Sequence, residues 1–429
     1  MSELVRAAFP FVALATWLIV PLYAARQRGR TFAIFSSVTF GISFAGSLGV
    51  HSRLPDWLPP SVLPIFDALF LYGMLAAGIH YAHLVRARMR NGVFRTLISA
   101  PGQAFVAASF MAAFWLLALL LVRLPLYWLG ADTTLEWLAP LDALPYAVAA
   151  LALTTTARPV SEVVRVRLGN EGPAEFQRLP LERHRRRRSP APLLERPLRI
   201  VQITDPHLGP WQSVERLRRL TEQLVDHEPD LVLLTGDFLT MESNATPPAL
   251  ADALAPLQRL PGRCYAAFGN HDHEAPEVVR AGLEANGVHL LVDDATSVET
   301  DAGRVQIIGA DFVRKEREAH LRELLARHPR QTEALRLLLL HDPSAFHDLP
   351  DDDVDLVLSG HTHGGQVGLV SFGLDWTVLK NSRFPDHGLF ARGRSRLYVH
   401  RGTGFYGFPL RVGVPGEASL LELVLAPVP

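Results

Sequence analysis

The chain has 429 residues, 48% apolar and 20% charged, a length for two or three domains and a composition that excludes disorder, collagen and a disulfide-stapled miniprotein. Its single cysteine, Cys264, allows no intrachain disulfide and no thiolate zinc site, so a metal must be held by His, Asp, Glu or Asn. Residues 1–157 hold 10 Arg against 6 acidic residues, 158–200 hold 11 Arg against 5, and the rest is acidic, which argues against a nucleic-acid partner.

Residues 7–25 and 31–50 are uncharged runs of 19 and 20 residues, long enough at 1.5 Å per residue to cross about 30 Å of hydrocarbon. Residues 61–85, 104–122 and 137–157 predict three further spans, giving a five-helix membrane region over 1–157. The first run is read as a span and not as a cleaved leader, because the second follows within a few residues. Arg26, Arg28 and Arg30 follow span one, Arg86, Arg88, Arg90 and Arg95 follow span three, and Arg158, Arg165 and Arg167 follow span five. The loops with Arg53 and Arg123 also carry Asp56, Asp132, Glu136 and Asp142. That alternation predicts a multi-pass protein of the inner (cytoplasmic) membrane, with the N-terminus outside and the C-terminal domain in the cytoplasm. Trp57, Trp128 and Trp137 fall near span ends, as interfacial anchors do. His80 and His83 share a face of span three but stand beside the cytoplasmic Arg86, where polar side chains snorkel.

Residues 158–197 are rich in Pro, Arg and Glu and include Arg183, His184 and the arginines at 185–188. They read as an extended basic connector able to contact anionic lipid. From 198 to 429, short apolar runs alternate with amphipathic stretches such as 214–225, the pattern of an α/β domain whose strands are buried on both faces.

Chemistry follows the strands. Asp205-Pro206-His207, Gly236-Asp237, Gly269-Asn270-His271-Asp272, His341-Asp342 and Gly360-His361-Thr362-His363-Gly364-Gly365-Gln366 each end an apolar run. At the C-terminal edge of an α/β sheet, such loops converge on a crevice. Asp205, His207, Asp237, Asn270, His341, His361 and His363 supply seven donors, more than one zinc takes. Two metals sharing a carboxylate, with Asp237 as the natural bridge, account for the number. Imidazole and oxygen donors without sulfur suit Mn, Fe or Zn.

In that order these motifs resemble the calcineurin-like metallophosphoesterases, over about residues 198–425, and the GHTHGGQ ending resembles a bacterial, membrane-anchored branch. The resemblance implies a β-sandwich flanked by helices. It implies Asp205, His207, Asp237 and His363 around one metal, Asp237, Asn270, His341 and His361 around the other, and His271 as the catalytic histidine. Two cations about 3.5–4 Å apart activate a water and neutralise phosphoryl charge, so no Ser or Cys nucleophile is needed. Relatives commonly orient the histidine with an Asp just beyond GD, whereas Phe238, Leu239 and Thr240 stand here. Asp272 or Asp342 could take that role or brace a metal ligand. Residues 401–406 (RGTGFY) border the site by the same resemblance, and Gly364 and Gly365 allow a close approach or an ordinary turn. The remaining histidines of the domain read as structural. The expected function is metal-dependent hydrolysis of a phosphomonoester, phosphodiester or pyrophosphate by activated hydroxide, on a lipid-linked substrate that the membrane concentrates. The alternatives are a phosphodiesterase for a soluble nucleotide and a catalytically silent membrane sensor.

Overall fold

The structure, a computed structural model, describes residues 2–156, 158–185 and 196–425. It separates into Met1–Thr154 with Gly407–Leu410, and Thr155–Tyr406 with Arg411–Pro429.

The first unit is helical: α1 (Ser2–Gln27), α2 (Arg30–Arg53), α3 (Leu63–Leu84), α4 (Ala100–Trp128) and α5 (Leu144–Thr156). Among the described residues, five helical stretches are long and apolar enough to cross a membrane; the fifth, Asp132–Leu153, contains a 3-10 turn at Ala139–Ala143. Small residues let the helices approach closely. A Cβ on Gly46 of α2 would lie 2.0 Å from the Ser109 carbonyl oxygen of α4, and the Ser43 hydroxyl donates to the Val106 carbonyl at 3.1 Å. Polar side chains are paired. Asp142 receives Arg53 at 2.7 Å and Arg123 at 2.6 Å, and Asp67 lies 3.0 Å from His51 and 3.4 Å from Arg6. His80 meets the Ser99 hydroxyl, while His83 donates to the Ile79 carbonyl of its own helix, so the two histidines serve different partners. Trp128 and Trp137 are 82% and 80% exposed near the helix ends.

Among the described residues, the second unit is a sandwich of two seven-stranded sheets. One has the order β3-β1-β14-β4-β5-β6-β7 and the other β2-β12-β13-β11-β10-β9-β8. Its strands are β1 (Val160–Leu168), β2 (Gln177–Leu179), β3 (Glu182–Arg185), β4 (Leu198–Ile203), β5 (Leu231–Leu234), β6 (Cys264–Ala266), β7 (His289–Leu290), β8 (Asp294–Thr300), β9 (Gly303–Gly309), β10 (Ala334–Leu339), β11 (Leu356–Ser359), β12 (Gly388–Arg392), β13 (Ser395–Val399) and β14 (Glu417–Leu425). Ile200, Leu231 and Leu233 of one sheet pack with Ile307, Leu337, Leu339, Leu356 and Leu358 of the other. Helices flank the sandwich: α6 (Val214–Val225), opened by the Ser213 hydroxyl accepting the Arg216 N–H, and α7 (Pro276–Glu284). α8 (Arg317–Arg327) lays Leu321, Leu324 and Leu325 against Ile308, Leu338 and Val357. The β-sandwich flanked by helices is the architecture the motifs implied.

The segment expected as an extended connector contains β1, β2 and β3. β1 pairs in parallel with β14 through nine residues, from Val160 opposite Glu417 to Leu168 opposite Leu425, and buries Val164, Val166 and Leu168. Its charges have partners in the fold: Arg165 pairs with Glu422 at 3.2 Å and Arg167 with Glu182 at 3.1 Å. Alternating valines therefore outweigh the basic composition. The arginines at 186–188, expected at anionic lipid, lie outside the described residues.

Candidate metal centre

Parallel strands deliver the motif residues to the carboxyl edges of both sheets. β4, β5 and β6 run parallel in one sheet, and β9, β10, β11 and β13 in the other. Asp205 and His207 follow β4, Asp237 follows β5, Asn270 and His271 follow β6, His341 follows β10, and His361 and His363 follow β11. Gln202 of β4 ties the sheets together, donating to the Ser359 carbonyl at the end of β11 at 3.0 Å.

The backbone turns sharply there. Asp205, His207, Asp237, His361 and His363 all have positive φ, between 44° and 68°. Left-handed backbone disfavours side chains generally, and it clusters where a site needs side chains turned inward. Gly360 is required by contact: a Cβ would stand 2.1 Å from the Asp205 carboxylate. Gly364 and Gly365 also have positive φ, 62° and 70°, the turn reading of that pair.

Two groups form. Asp205, His207 and His363 present donor atoms within 4.8 Å of one another, as do Asp237, His341 and His361. In the first, His363 Nε2 lies 3.3 Å from Asp205 and 3.2 Å from His207 Nε2; in the second, His341 Nε2 lies 3.3 Å from His361 Nδ1. Asp237 stands between them, its Oδ2 3.7 Å from His207 Nε2 and 3.1 Å from His341 Nε2. His341 donates its Nδ1–H to the Thr235 carbonyl at 2.6 Å, which leaves Nε2 as the lone-pair nitrogen of the neutral ring.

Two further observations fit a cation. The buried Asn270 Oδ1 has no hydrogen-bond partner among the described residues. Burial pushes His207 down to about 3, burial and the His341 charge push His361 down to about 4, and burial holds His363 well below its ordinary value, so these rings are neutral donors. Burial opposes charge on His341 too, but Asp237 and Asp205 raise it to about 10. The protein groups alone thus draw a proton to the place where carboxylates and imidazoles converge, the demand for positive charge that a divalent cation meets.

His271 sits beside these groups. Its backbone N–H donates to Asp237 Oδ1 at 2.8 Å, and its Nδ1 lies 2.8 Å from Glu274 Oε1. Burial lowers its pKa, but the Glu274 hydrogen bond and Asp237 outweigh that and raise it. The sequence reading offered Asp272 or Asp342 as its orienting partner, and neither does so. The buried Asp272 carboxylate accepts the N–H groups of Asp237, Phe238 and Gly269 at 2.7–2.8 Å, bracing both motif loops. Asp342 caps its own turn through Ser344 and pairs with Arg317. Glu274 was missed, although its place three residues after His271 was a usable signal. In the 401–406 stretch, Tyr406 borders the site, its ring centroid 4.3 Å from that of His271 and 5.0 Å from that of His207. Arg401 is buried and bonded to Glu417 and Glu162. Arg411, also missed, is buried and donates to the His363, Arg401 and Gly404 carbonyls.

Paired sheets with Asp/His groups at their carboxyl edges define a metallophosphoesterase domain. Residues 198–365 match the family described as Calcineurin-like phosphoesterase, and the chain belongs to it. Over 241 residues it is 33% identical to the uncharacterized metallophosphoesterase YkoQ of Bacillus subtilis (strain 168), covering 53% of this chain and 83% of that protein. Over 235 residues it is 29% identical to phosphodiesterase YaeI of Escherichia coli (strain K12), with the same two shares covered. It is also 28% identical over 250 residues to a Danio rerio transmembrane protein with metallophosphoesterase domain, covering 53% of each chain. Membership implies a metal-dependent phosphoester hydrolase.

Proposed function

We propose that the protein is a membrane-tethered dinuclear phosphoesterase of the membrane-anchored branch with the GHTHGGQ ending, acting at the cytoplasmic face of the inner membrane on a lipid-linked phosphodiester or pyrophosphate. The observation that carries this reading is Asp237 Oδ2, set within 3.1–3.7 Å of imidazoles from both donor groups. Asp205, His207, Asp237 and His363 would hold one metal, and Asp237, Asn270, His341 and His361 the other. Bound Mn, Fe or Zn would supply water activation and charge neutralisation at the phosphoryl group. His271 delivers a proton from Nε2 to the leaving oxygen, and Glu274, accepting the Nδ1–H, favours the doubly protonated ring and steadies it. Asp237 also fixes His271 through the backbone N–H. Tyr406, its ring tilted against that of His271, walls the site on one side. The name of the Escherichia coli relative favours a diester substrate. The test is turnover of metal-loaded full-length protein on phosphomonoesters, diesters and lipid pyrophosphates, with metal content measured in parallel; absence of turnover with two metals bound would refute hydrolysis.

A further inference from the structure

Six of the eight large hydrophobic side chains that the catalytic unit exposes among the described residues fall within residues 367–378. Phe372 is 75% exposed, Leu374 56%, Val378 53% and Trp376 44%. Soluble surfaces seldom concentrate apolar groups in this way without a partner.

The exposure is built in. The Leu369 N–H donates to the Trp376 carbonyl at 2.8 Å, the Val378 N–H to the Val367 carbonyl at 3.0 Å, and the Ser371 N–H to the Gly413 carbonyl at 2.8 Å. The buried Thr377 hydroxyl donates to Asp386 at 2.6 Å, while Arg178 reaches both Asp386 and Asp375. The loop is therefore a hydrogen-bonded hairpin, clamped at its base, whose tip cannot turn its aromatics inward. Arg178 offsets the one acidic side chain of the tip, and exposed Lys380 and Arg383 follow it.

We propose that residues 367–378 insert into the interfacial layer of the bilayer that the chain's own helices cross. Tryptophan, phenylalanine and leucine beside lysine and arginine suit a headgroup boundary with anionic lipid. Only residues 157–159 separate α5 from β1, a tether spanning at most about 11 Å. The base of the hairpin reaches the metal centre: Gln366 follows His363 by three residues and donates to the Tyr406 carbonyl at 3.2 Å. A lipid beside the tip would carry its headgroup phosphate toward His271, a consequence that rests on the phosphoesterase reading; insertion itself does not.

The experiment places an environment-sensitive fluorophore on F372C, and separately on W376C, in the full chain reconstituted in nanodiscs of phosphatidylethanolamine and phosphatidylglycerol. Cys264 is buried, which directs labelling to the new cysteine. Expected is a blue-shifted emission quenched at least twofold by doxyl-labelled lipids, with no quenching for the same label on E323C of α8. Emission at both loop positions as unquenched as at 323 overturns the proposal. So does a blue shift without doxyl quenching, which means cover by protein, and disulfide cross-linking of F372C between chains assigns that cover to a second copy. Because no turnover is read, quenching in a protein that hydrolyses nothing would refute the enzymatic reading alone.

Discussion

At Asp237 a single side chain does two jobs: one oxygen faces imidazoles of both donor groups, and the other fixes the His271 backbone. Asp237→Asn should therefore remove most activity and lower the content of both metals, measured by elemental analysis; full activity with two metals would refute the bridge. His271→Ala should keep its metals and lose about 10²–10⁴-fold in turnover, the usual contribution of a positioned acid. Metal loss as large as that of His341→Ala would make His271 a ligand instead. Glu274→Gln separates positioning from packing. A hydrogen bond to a charged partner contributes about 1.5–3 kcal/mol, so turnover should fall about tenfold or more on an alkyl ester and much less on a nitrophenyl ester, whose leaving group needs no acid. Equal losses on both would leave Glu274 a structural role only. The motif residues at the sheet edges were legible because strand-ending motifs announce themselves locally. Asp272, Arg411 and Glu417 were not, since their roles depend on backbone groups and ion pairs that only the folded loops bring together.

Among the elements, β4, β5, β10 and β11 were legible as continuous apolar runs, and the amphipathic stretch 214–225 became α6 with those bounds. β1 was hidden because three of its nine residues are charged, and because its partner, β14, lies about 250 residues away. Its burial decides where the catalytic domain begins. Removing β1 uncovers the edge of β14 and deletes the fully buried Val164 and Val166 and the nearly buried Leu168, each contributing about 1.5–3 kcal/mol. Against a typical domain stability of about 5–15 kcal/mol, that loss is a large share. A fragment beginning at residue 198 should therefore melt well below one beginning at 158, or fail to fold, as read by circular dichroism. Equal melting temperatures would show that β1 is peripheral.

For the whole molecule, the arginine distribution predicts an orientation, with the C-terminal domain in the cytoplasm. Arg53 and Arg123, expected in outside loops, lie instead within α2 and α4, where both pair with Asp142. A reporter fused after Pro429 should register as cytoplasmic and one inserted at Asp56 as exterior; an exterior C-terminus would move the chemistry across the membrane. The lipid-linked reading gains its own test from the short link between α5 and β1. Because only residues 157–159 lie between α5 and β1 in the sequence, the active domain is tethered to the helical region, which raises the effective concentration of a membrane-resident substrate and does nothing for a freely diffusing one. Inserting a Gly/Ser segment of about 40 residues there would give it a reach of roughly 35 Å. Hydrolysis of a lipid-embedded phosphoester should then drop several-fold while hydrolysis of a small soluble ester stays level at matched metal content. An unchanged rate on both would remove the reason to place the substrate in the membrane and would favour a soluble phosphodiester.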